Sequence, residues 1–280
     1  MSDFKKLLLE KIPELKGKEK HLPSGFQRLG NIVILNLKPE VLNYAKEIAD
    51  VILNEFPYIR SVFLKSGPVS NEFREPKIEW LAGSKDPVTI HRENGCVFML
   101  DVTKIMFAKG NLYERGRIPK LVSKGEIIVD MFAGIGYFSI PIAKFSEAKT
   151  IYAIEKNPVA VEFLKENIRL NKVGNKIIPV LGDCRYVKVG KIADRIIMGY
   201  LPGTSEYLPY AFDMLKDMGG ILHYHDIFAK EDLWEKPLHL LETIGFRSGY
   251  VLDKITYKNI VKSYAPNIFH IVIDAVFYQR

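Results

Sequence analysis

One stretch near the middle of the chain limits what it can fold into: the apolar run at 127–129 and the loop at 130–136, which reads DMFAGIG. A buried strand that enters a glycine loop and then a helix, here at 137–144, is typical of the first ligand-binding turn of a doubly wound α/β sheet. Gly134 and Gly136 admit backbone angles that other residues avoid, so a ligand can lie against the main chain. The stretch predicts an α/β ligand-binding domain.

Three more predicted strands end in residues suited to a ligand. Glu155 follows the run at 151–154, nineteen residues after Gly136, and an acidic residue at this spacing commonly accepts hydrogen bonds from ribose hydroxyls. Asp183 follows the strand at 177–181, and the turn at 199–202 follows the strand at 194–198. Because strands and helices alternate from residue 126 onward, we expect a parallel sheet with helices on both faces and a nucleoside at its carboxyl edge.

The sequence of the loop favours S-adenosylmethionine over NAD as the ligand. The third glycine of the dinucleotide fingerprint is absent, and Phe138 and Ser139 occupy that region, which disfavours NAD. A carboxylate for the ribose, a polar group for the adenine and no phosphate cradle suit S-adenosylmethionine. Its sulfonium brings its own leaving group, so the protein has mainly to position the nucleophile.

A smaller α+β domain is predicted ahead of this one. Helical periodicity at 1–20 and 39–56 and short β-like runs between 61 and 100 are separated by glycine and proline. We place the boundary at residue 110, giving domains at 1–110 and 111–280. Basic residues are interspersed with the β-like runs, and either solvated loops or an RNA-contacting surface would explain them.

Composition and charge indicate the class of binding partner and the cellular compartment. The net charge of +7 and the isoelectric point near 9.1 favour an anionic partner, nucleic acid before membrane, and no apolar run reaches the length of a membrane span. Cys96 and Cys184 fit neither a disulfide framework nor a zinc pattern, so we expect a cytoplasmic protein. His223 and His225 share a strand face without a third ligand nearby, and we expect no metal.

Several motifs together resemble one family. These are the loop at 130–136, NPVAV at 157–161, the pair Asn167 and Asn171, GDCR at 182–185, and Arg74 with LAG at 81–83. They are similar to motifs of the archaeal and eukaryotic tRNA guanosine-37 N1-methyltransferases and their paralogues, over roughly residues 20–280. The resemblance implies a Rossmann-like class I S-adenosylmethionine-dependent transferase domain preceded by a smaller α+β RNA-contacting domain.

Two departures indicate the branch of that family. The methyltransferases carry FSPRL, with a catalytic arginine, before a Glu-Arg pair; this chain reads FAKGNLYER at 107–115, with Gly110 in the arginine's place. They end the fourth strand with MNLP, whereas this chain has MGYLP at 198–202. Both departures resemble the wybutosine-synthesising paralogue, which transfers the 3-amino-3-carboxypropyl group of S-adenosylmethionine to the tricyclic base at position 37 of phenylalanine tRNA. Guanosine-37 N1-methylation and a non-catalytic tRNA-binding role remain the alternatives.

The predicted roles follow from these patterns. Glu155 holds the ribose, Asp183 and the Cys184 backbone contact the adenine, and the glycine loop lies under the methionine half. Either Lys109 or Arg115 pairs with the methionine carboxylate, with phosphate binding as the alternative for both. Tyr200 is a candidate to stack on the extruded base, and the basic small domain would hold the anticodon stem-loop. The predicted cofactor-binding residues are Phe107, Ala108, Lys109, Arg115, Phe132, Gly134, Gly136, Glu155, Lys156, Asp183 and Cys184, and the predicted catalytic residues are Lys109, Arg115 and Tyr200.

Overall fold

The computed structural model describes residues 1–69, 72–107 and 109–280, and of Lys109 only the backbone. Within these residues the chain forms two compact units, one at 1–92 and 97–107, the other at 93–96 and from 109 to 280. Each unit has its own sheet and core, so each is described by itself. The domain boundary at residue 110 stays a prediction.

The first unit is a small α+β structure. Its four-stranded sheet has the order β1-β2-β3-β4, in which β2 and β3 are parallel and the outer pairs are antiparallel. Helix α2 buries Ile48 and Ile52 with Val33 and Val62 of the sheet and Leu8 of α1. The elements are α1 (Asp3–Lys11), β1 (Gln27–Leu29), β2 (Ile32–Leu35), α2 (Ala45–Glu55), β3 (Ser61–Lys65), β4 (Ile78–Gly83) and the separate pair β5 (Val88–Glu93) and β6 (Cys96–Asp101).

The second unit is a seven-stranded α/β sheet. Its elements are α3 (Leu112–Arg117), β7 (Ile127–Asp130), α4 (Ser139–Phe145), β8 (Thr150–Glu155), α5 (Pro158–Asn171), β9 (Ile177–Leu181), β10 (Arg195–Met198), α6 (Leu208–Phe212), β11 (Gly220–Ala229), α7 (Glu235–Arg247), β12 (Tyr250–Ala265) and β13 (Ile268–Gln279). The strand order is β12-β13-β11-β10-β7-β8-β9. The predicted fold class, a Rossmann-like domain preceded by a smaller α+β domain, is confirmed.

The topology places the glycine loop at the switch point of the sheet. Strands β11, β10, β7, β8 and β9 are parallel. The chain runs from β7 through β8 to β9 on one side and then returns to form β10 and β11 on the other. Ligands bind where the strand order reverses in this way, and that point lies at the carboxyl end of β7.

The end of the second unit differs from the sequence expectation. The apolar runs at 256–261 and 270–277 predict two short strands, but β12 has 16 residues and β13 has 12. Strand β13 is antiparallel to both β11 and β12, so the sheet is mixed. Helix α7 was not predicted; it buries Leu241 against the core. No helix in the described ranges combines the length and the apolar character that crossing a membrane would require.

Candidate active site

The glycine loop is tied to the next strand by the side chain of Glu155. The Gly134 amide donates a hydrogen bond of 2.7 Å to Glu155 Oε2, and the Asn157 amide donates one of 2.8 Å to Oε1. Burial raises the pKa of this carboxyl above its ordinary value, against the effect of these backbone bonds. Each oxygen of an ionised carboxylate has a second lone pair, so Glu155 can still accept bonds from a pair of ribose hydroxyls.

Both loop glycines are required by the packing of the loop itself. Gly134 has a φ of +56° and Gly136 one of +99°. A Cβ on Gly134 would lie 2.5 Å from the Tyr137 ring, and one on Gly136 would lie 2.4 Å from the Ile140 side chain. The loop therefore keeps a bare backbone at the carboxyl end of β7, as close approach of a ligand requires.

The base of the loop is fixed by Asp130, the last residue of β7. Its Oδ2 accepts a hydrogen bond of 2.6 Å from the Ser139 hydroxyl at the start of α4. Burial raises the pKa of this carboxyl to about 6. The contact joins both ends of the loop.

Asp183 lies after β9 and is held by two cations. Arg185 donates to both carboxylate oxygens, at 3.0 Å from Nε and 2.6 Å from Nη2, and Lys156 Nζ lies 3.3 Å from Oδ2. The hydrogen bonds from Arg185 hold the pKa of Asp183 well below its usual range. Burial, with the nearby charge of Asp183, raises the pKa of the Cys184 thiol to about 12, so Cys184 stays a neutral lining residue.

Three aromatic rings connect the glycine loop to the turn after β10. Phe132 and Tyr200 stack with centroids 5.0 Å apart and planes 24° apart. Tyr207 contacts both rings edge-on, and the Arg185 guanidinium lies 5.5 Å from its centroid. The structure thus brings predicted residues from three strand ends together. Tyr207 was missed, because it follows the turn by several residues and matches no motif.

The turn after β10 is anchored by Asp226, a second residue that the sequence did not indicate. Its carboxylate accepts hydrogen bonds of 3.0 Å from the amides of Gly203 and Ser205 and one of 2.8 Å from the Tyr224 hydroxyl. Asp226 is buried in β11. A carboxylate inside a strand that is otherwise apolar apart from two histidines was the available sequence signal. This anchor fixes the segment that carries Tyr200.

The structure places the remaining predicted residues as follows. Arg115 is 2% exposed and donates a 2.6 Å hydrogen bond to Glu93, and its guanidinium lies 4.9 Å from the Tyr137 ring. Phe107 is buried in the first unit, where its ring contacts Phe98. Ala108 and the side chain of Lys109 lie outside the described residues. The predicted roles of these four residues, like those of the other predicted site residues, stay predictions.

The histidines of β11 belong to buried hydrogen-bond networks. Burial lowers the pKa of His223, whose Nδ1 donates to Asp274 at 2.6 Å while its Nε2 accepts from Arg195 at 2.7 Å. His225 pairs with His270, with 3.0 Å between ring nitrogens. Among the residues that the structure describes, no group of three or more His, Cys, Asp or Glu side chains is placed to hold a metal ion.

Comparisons with known proteins match both units. A family model described as TRM5/TYW2 methyltransferase domain matches residues 89–252, and one described as TYW2 N-terminal domain matches residues 4–86. The tRNA(Phe) (4-demethylwyosine(37)-C(7)) aminocarboxypropyltransferase of Methanocaldococcus jannaschii is 42% identical over 252 residues, which are 90% of this chain and 97% of that protein.

A methyltransferase and a solved structure are also similar to this chain. The tRNA (guanine(37)-N(1))-methyltransferase Trm5b of Pyrococcus abyssi is 37% identical over 253 residues, covering 90% of this chain and 74% of that protein. The crystal structure of M. jannaschii TYW2 in complex with AdoMet has a TM-score of 0.76 at 38% identity, covering 91% of this chain and all of that one. Similarity is thus higher to the aminocarboxypropyltransferase than to this methyltransferase.

Proposed function

The chain belongs to the TRM5/TYW2 family, as its motifs predicted, and we propose that it is an S-adenosylmethionine-dependent tRNA aminocarboxypropyltransferase. It transfers the 3-amino-3-carboxypropyl group to the tricyclic, demethylwyosine-type base at position 37 of phenylalanine tRNA. This is a step in wybutosine biosynthesis.

The observation that carries this choice of branch is the backbone at Gly110. Residues Lys109–Asn111 form one turn of 3-10 helix, and Gly110 stands where the resembling methyltransferases have their catalytic arginine. A Cβ at this position would lie 2.6 Å from Cδ of Lys262. An arginine here would have to displace the Lys262 side chain, and glycine itself offers no guanidinium, which supports a reaction other than methylation.

The donor fits the residues at the carboxyl edge. Glu155 has acceptor positions for ribose hydroxyls, and the bare backbone at Gly134 and Gly136 allows close approach. Phe132 and Tyr200 offer an aromatic face, and Asp183 and Lys156 supply polar groups for the adenine end. When bound, S-adenosylmethionine supplies a sulfonium that activates three attached carbons, and the pocket selects among them by orientation.

The protein's own part in the reaction is therefore positioning. The turn after β10, held by Asp226, sets the Tyr200 ring against Phe132. An electron-rich carbon of the base would attack the γ carbon of the methionine arm while the bond from that carbon to sulfur breaks. The electron pair of that bond would go to sulfur, and neutral methylthioadenosine would leave. The base carbon would then lose its proton to water, so no strong general base is required. Tyr200 is a candidate to stack on the extruded base.

We assign tRNA contact to residues 1–110 and donor binding to residues 111–280. Lys77, Lys85 and Arg92 are exposed in the first unit, and basic side chains of this kind bind phosphates. The anticodon stem-loop carries the target position, so we propose it as the contacted part of the tRNA. Both cysteines are free thiols, in keeping with a cytoplasmic location.

The experiment is a transfer assay with two labels. The protein is incubated with phenylalanine tRNA bearing the tricyclic precursor, together with S-adenosylmethionine labelled either in the methyl or in the carboxypropyl carbons. We expect only carboxypropyl label in RNA, with the matching mass increase at position 37. Methyl label in RNA would establish the methyltransferase instead, and no label would leave a tRNA-binding protein.

A further inference from the structure

Lys262 lies against the turn that distinguishes this chain from the methyltransferases. It is on β12, paired in register with His270 of β13. A Cβ added to Gly110 would lie 2.6 Å from its Cδ and 2.7 Å from its Nζ. The ammonium of Lys262 is therefore in contact range of the backbone at 109–111, and only a residue without a side chain leaves it there.

A continuous series of contacts links Lys262 to the carboxyl edge of the parallel strands. Nε2 of His270 is 3.0 Å from Nδ1 of His225, and the His225 ring is 5.7 Å from that of Phe138. A Cβ on Gly199, the residue after β10, would lie 3.1 Å from the Phe138 ring. Phe138 lies shortly after the glycine loop, so neighbouring side chains lead from this loop to the strand pair that carries Lys262.

The two histidines of this series, His225 and His270, contribute no positive charge near neutral pH. Burial lowers the pKa of His225 well below its ordinary value, and burial together with the charge of Lys262 lowers that of His270 to about 4. Among these three side chains, the positive charge is therefore that of Lys262.

Arg115 is less suited to bind a second anion. Its guanidinium already donates to Glu93 at 2.6 Å, and both side chains are buried, 2% and 6% exposed. A carboxylate brought to Arg115 would lie beside the charge of Glu93, at a cost in electrostatic repulsion. Lys262 is half-buried, lies against Gly110, and has three ammonium hydrogens to donate.

We propose that the Lys262 ammonium binds the carboxylate of the methionine arm of the donor, and that Gly110 keeps the space in which it does so. This inference rests on the proposed function. An ion pair at the far end of the arm fixes the direction of the carbon that is transferred, and it forms or breaks no covalent bond. Lys262 thereby selects the amino-acid arm for reaction.

The test compares two donors that differ only in the carboxylate. Equilibrium binding of S-adenosylmethionine and of decarboxylated S-adenosylmethionine is measured by calorimetry, without tRNA, on the full chain and on Lys262→Met. We expect the native chain to prefer S-adenosylmethionine by about tenfold or more, as a charge-assisted hydrogen bond provides. In Lys262→Met that preference disappears because the affinity for S-adenosylmethionine falls while that for the decarboxylated compound is unchanged.

Lys258→Met is the matched control, since Lys258 is an exposed lysine of the same strand whose ammonium lies 5.2 Å from the Trp234 ring. It should keep the native preference. Gly110→Ala is the second variant: the backbone there accepts alanine, and the new methyl group displaces the ammonium, so the preference should shrink with Lys262 still present. Thermal unfolding of each variant shows whether it is folded.

The proposal is overturned if a folded Lys262→Met variant keeps the native preference, loses affinity for both compounds equally, or changes only tRNA affinity. Failure of the proposed function would be seen separately. A native chain that shows the preference in binding but transfers methyl label would refute the reaction and leave the role of Lys262 standing.

Discussion

Replacing Glu155 by glutamine separates what this side chain does for folding from what it does for the donor. In Glu155→Gln an amide group replaces one carboxylate oxygen, and it must face the amide of Gly134 or of Asn157. One charge-assisted hydrogen bond is lost, worth about 1.5–3 kcal/mol. The variant also removes a buried charge whose desolvation raises the pKa of the native group. These two effects oppose each other, so we expect the free energy of unfolding to fall by only about 1 kcal/mol.

Donor binding should respond much more strongly. A ribose hydroxyl that donates to the carboxylate in the native protein meets a weaker, neutral acceptor or an amide donor in the variant. Loss of about 2–3 kcal/mol in binding corresponds to a roughly 30- to 150-fold lower affinity for S-adenosylmethionine. Transfer should fall accordingly, with tRNA affinity nearly intact.

Calorimetry of donor binding and denaturant unfolding of the unliganded protein measure both quantities. Glu162→Gln is the matched control, because Glu162 is an exposed residue of α5 that pairs with Lys165 at 2.7 Å, away from the loop. It should change neither value appreciably. Native affinity for S-adenosylmethionine in Glu155→Gln would refute the placement of the ribose, and a loss of affinity explained by unfolding would refute the separation of the two roles.

Three further outcomes are expected. Asp274→Asn removes one of the two carboxylates that lie 2.6 Å from the Arg117 guanidinium, and Glu114 remains as the other. The free energy of unfolding in urea should therefore fall by about 1.5–3 kcal/mol, and no measurable change would contradict this. In Gly134→Ala, the new methyl group would be strained at a φ of +56° and would clash with the Tyr137 ring. The loop should therefore shift, and S-adenosylmethionine should raise the melting temperature of the variant less than that of the native protein. An equal rise in both proteins would count against the loop geometry. Hydrogen bonds from its arginine partner hold the pKa of Asp183 below the ordinary 3.8, so its contribution to stability is present above about pH 3.8 and is lost as the pH falls toward the folded value. Acid unfolding should therefore be less steep in Asp183→Asn, and identical acid profiles would exclude the ion pair.

The sequence predicted those parts of the fold that are determined by residues close to each other in the chain. The strand at 127–129 and the glycine loop have fixed spacing, and Asn157 caps α5 by accepting from the Val159 amide at 2.9 Å, as an asparagine before a proline predicts. Helix α7 was missed although Leu238 and Leu241 follow a helical period. The long antiparallel strands were underestimated because the alternating, largely polar β12 acquires its structure by pairing with β13.

The candidate site also contains some residues whose position follows from the local sequence and others whose position depends on distant contacts. The position of Glu155 and Asp183 at one edge could be predicted, because one ends β8 and the other follows β9, and the topology brings these strand ends together. The contacts of Asp226 with Gly203 and of Lys262 with Gly110 could not be predicted, because each joins residues more than twenty positions apart. Distant contacts of this kind leave no pattern in a single sequence.

The two borders of the large sheet have a bearing on how the protein behaves at high concentration. The outermost strand β12 runs for 16 residues, and its pairing with β13 shifts register four times. The opposite border, β9, contains Pro179, which has no amide hydrogen to offer. Irregular borders and missing donors make poor templates for a strand of another molecule. Changes that straighten β12 or replace Pro179 would therefore first be seen as self-association and loss of solubility, before any loss of catalytic competence.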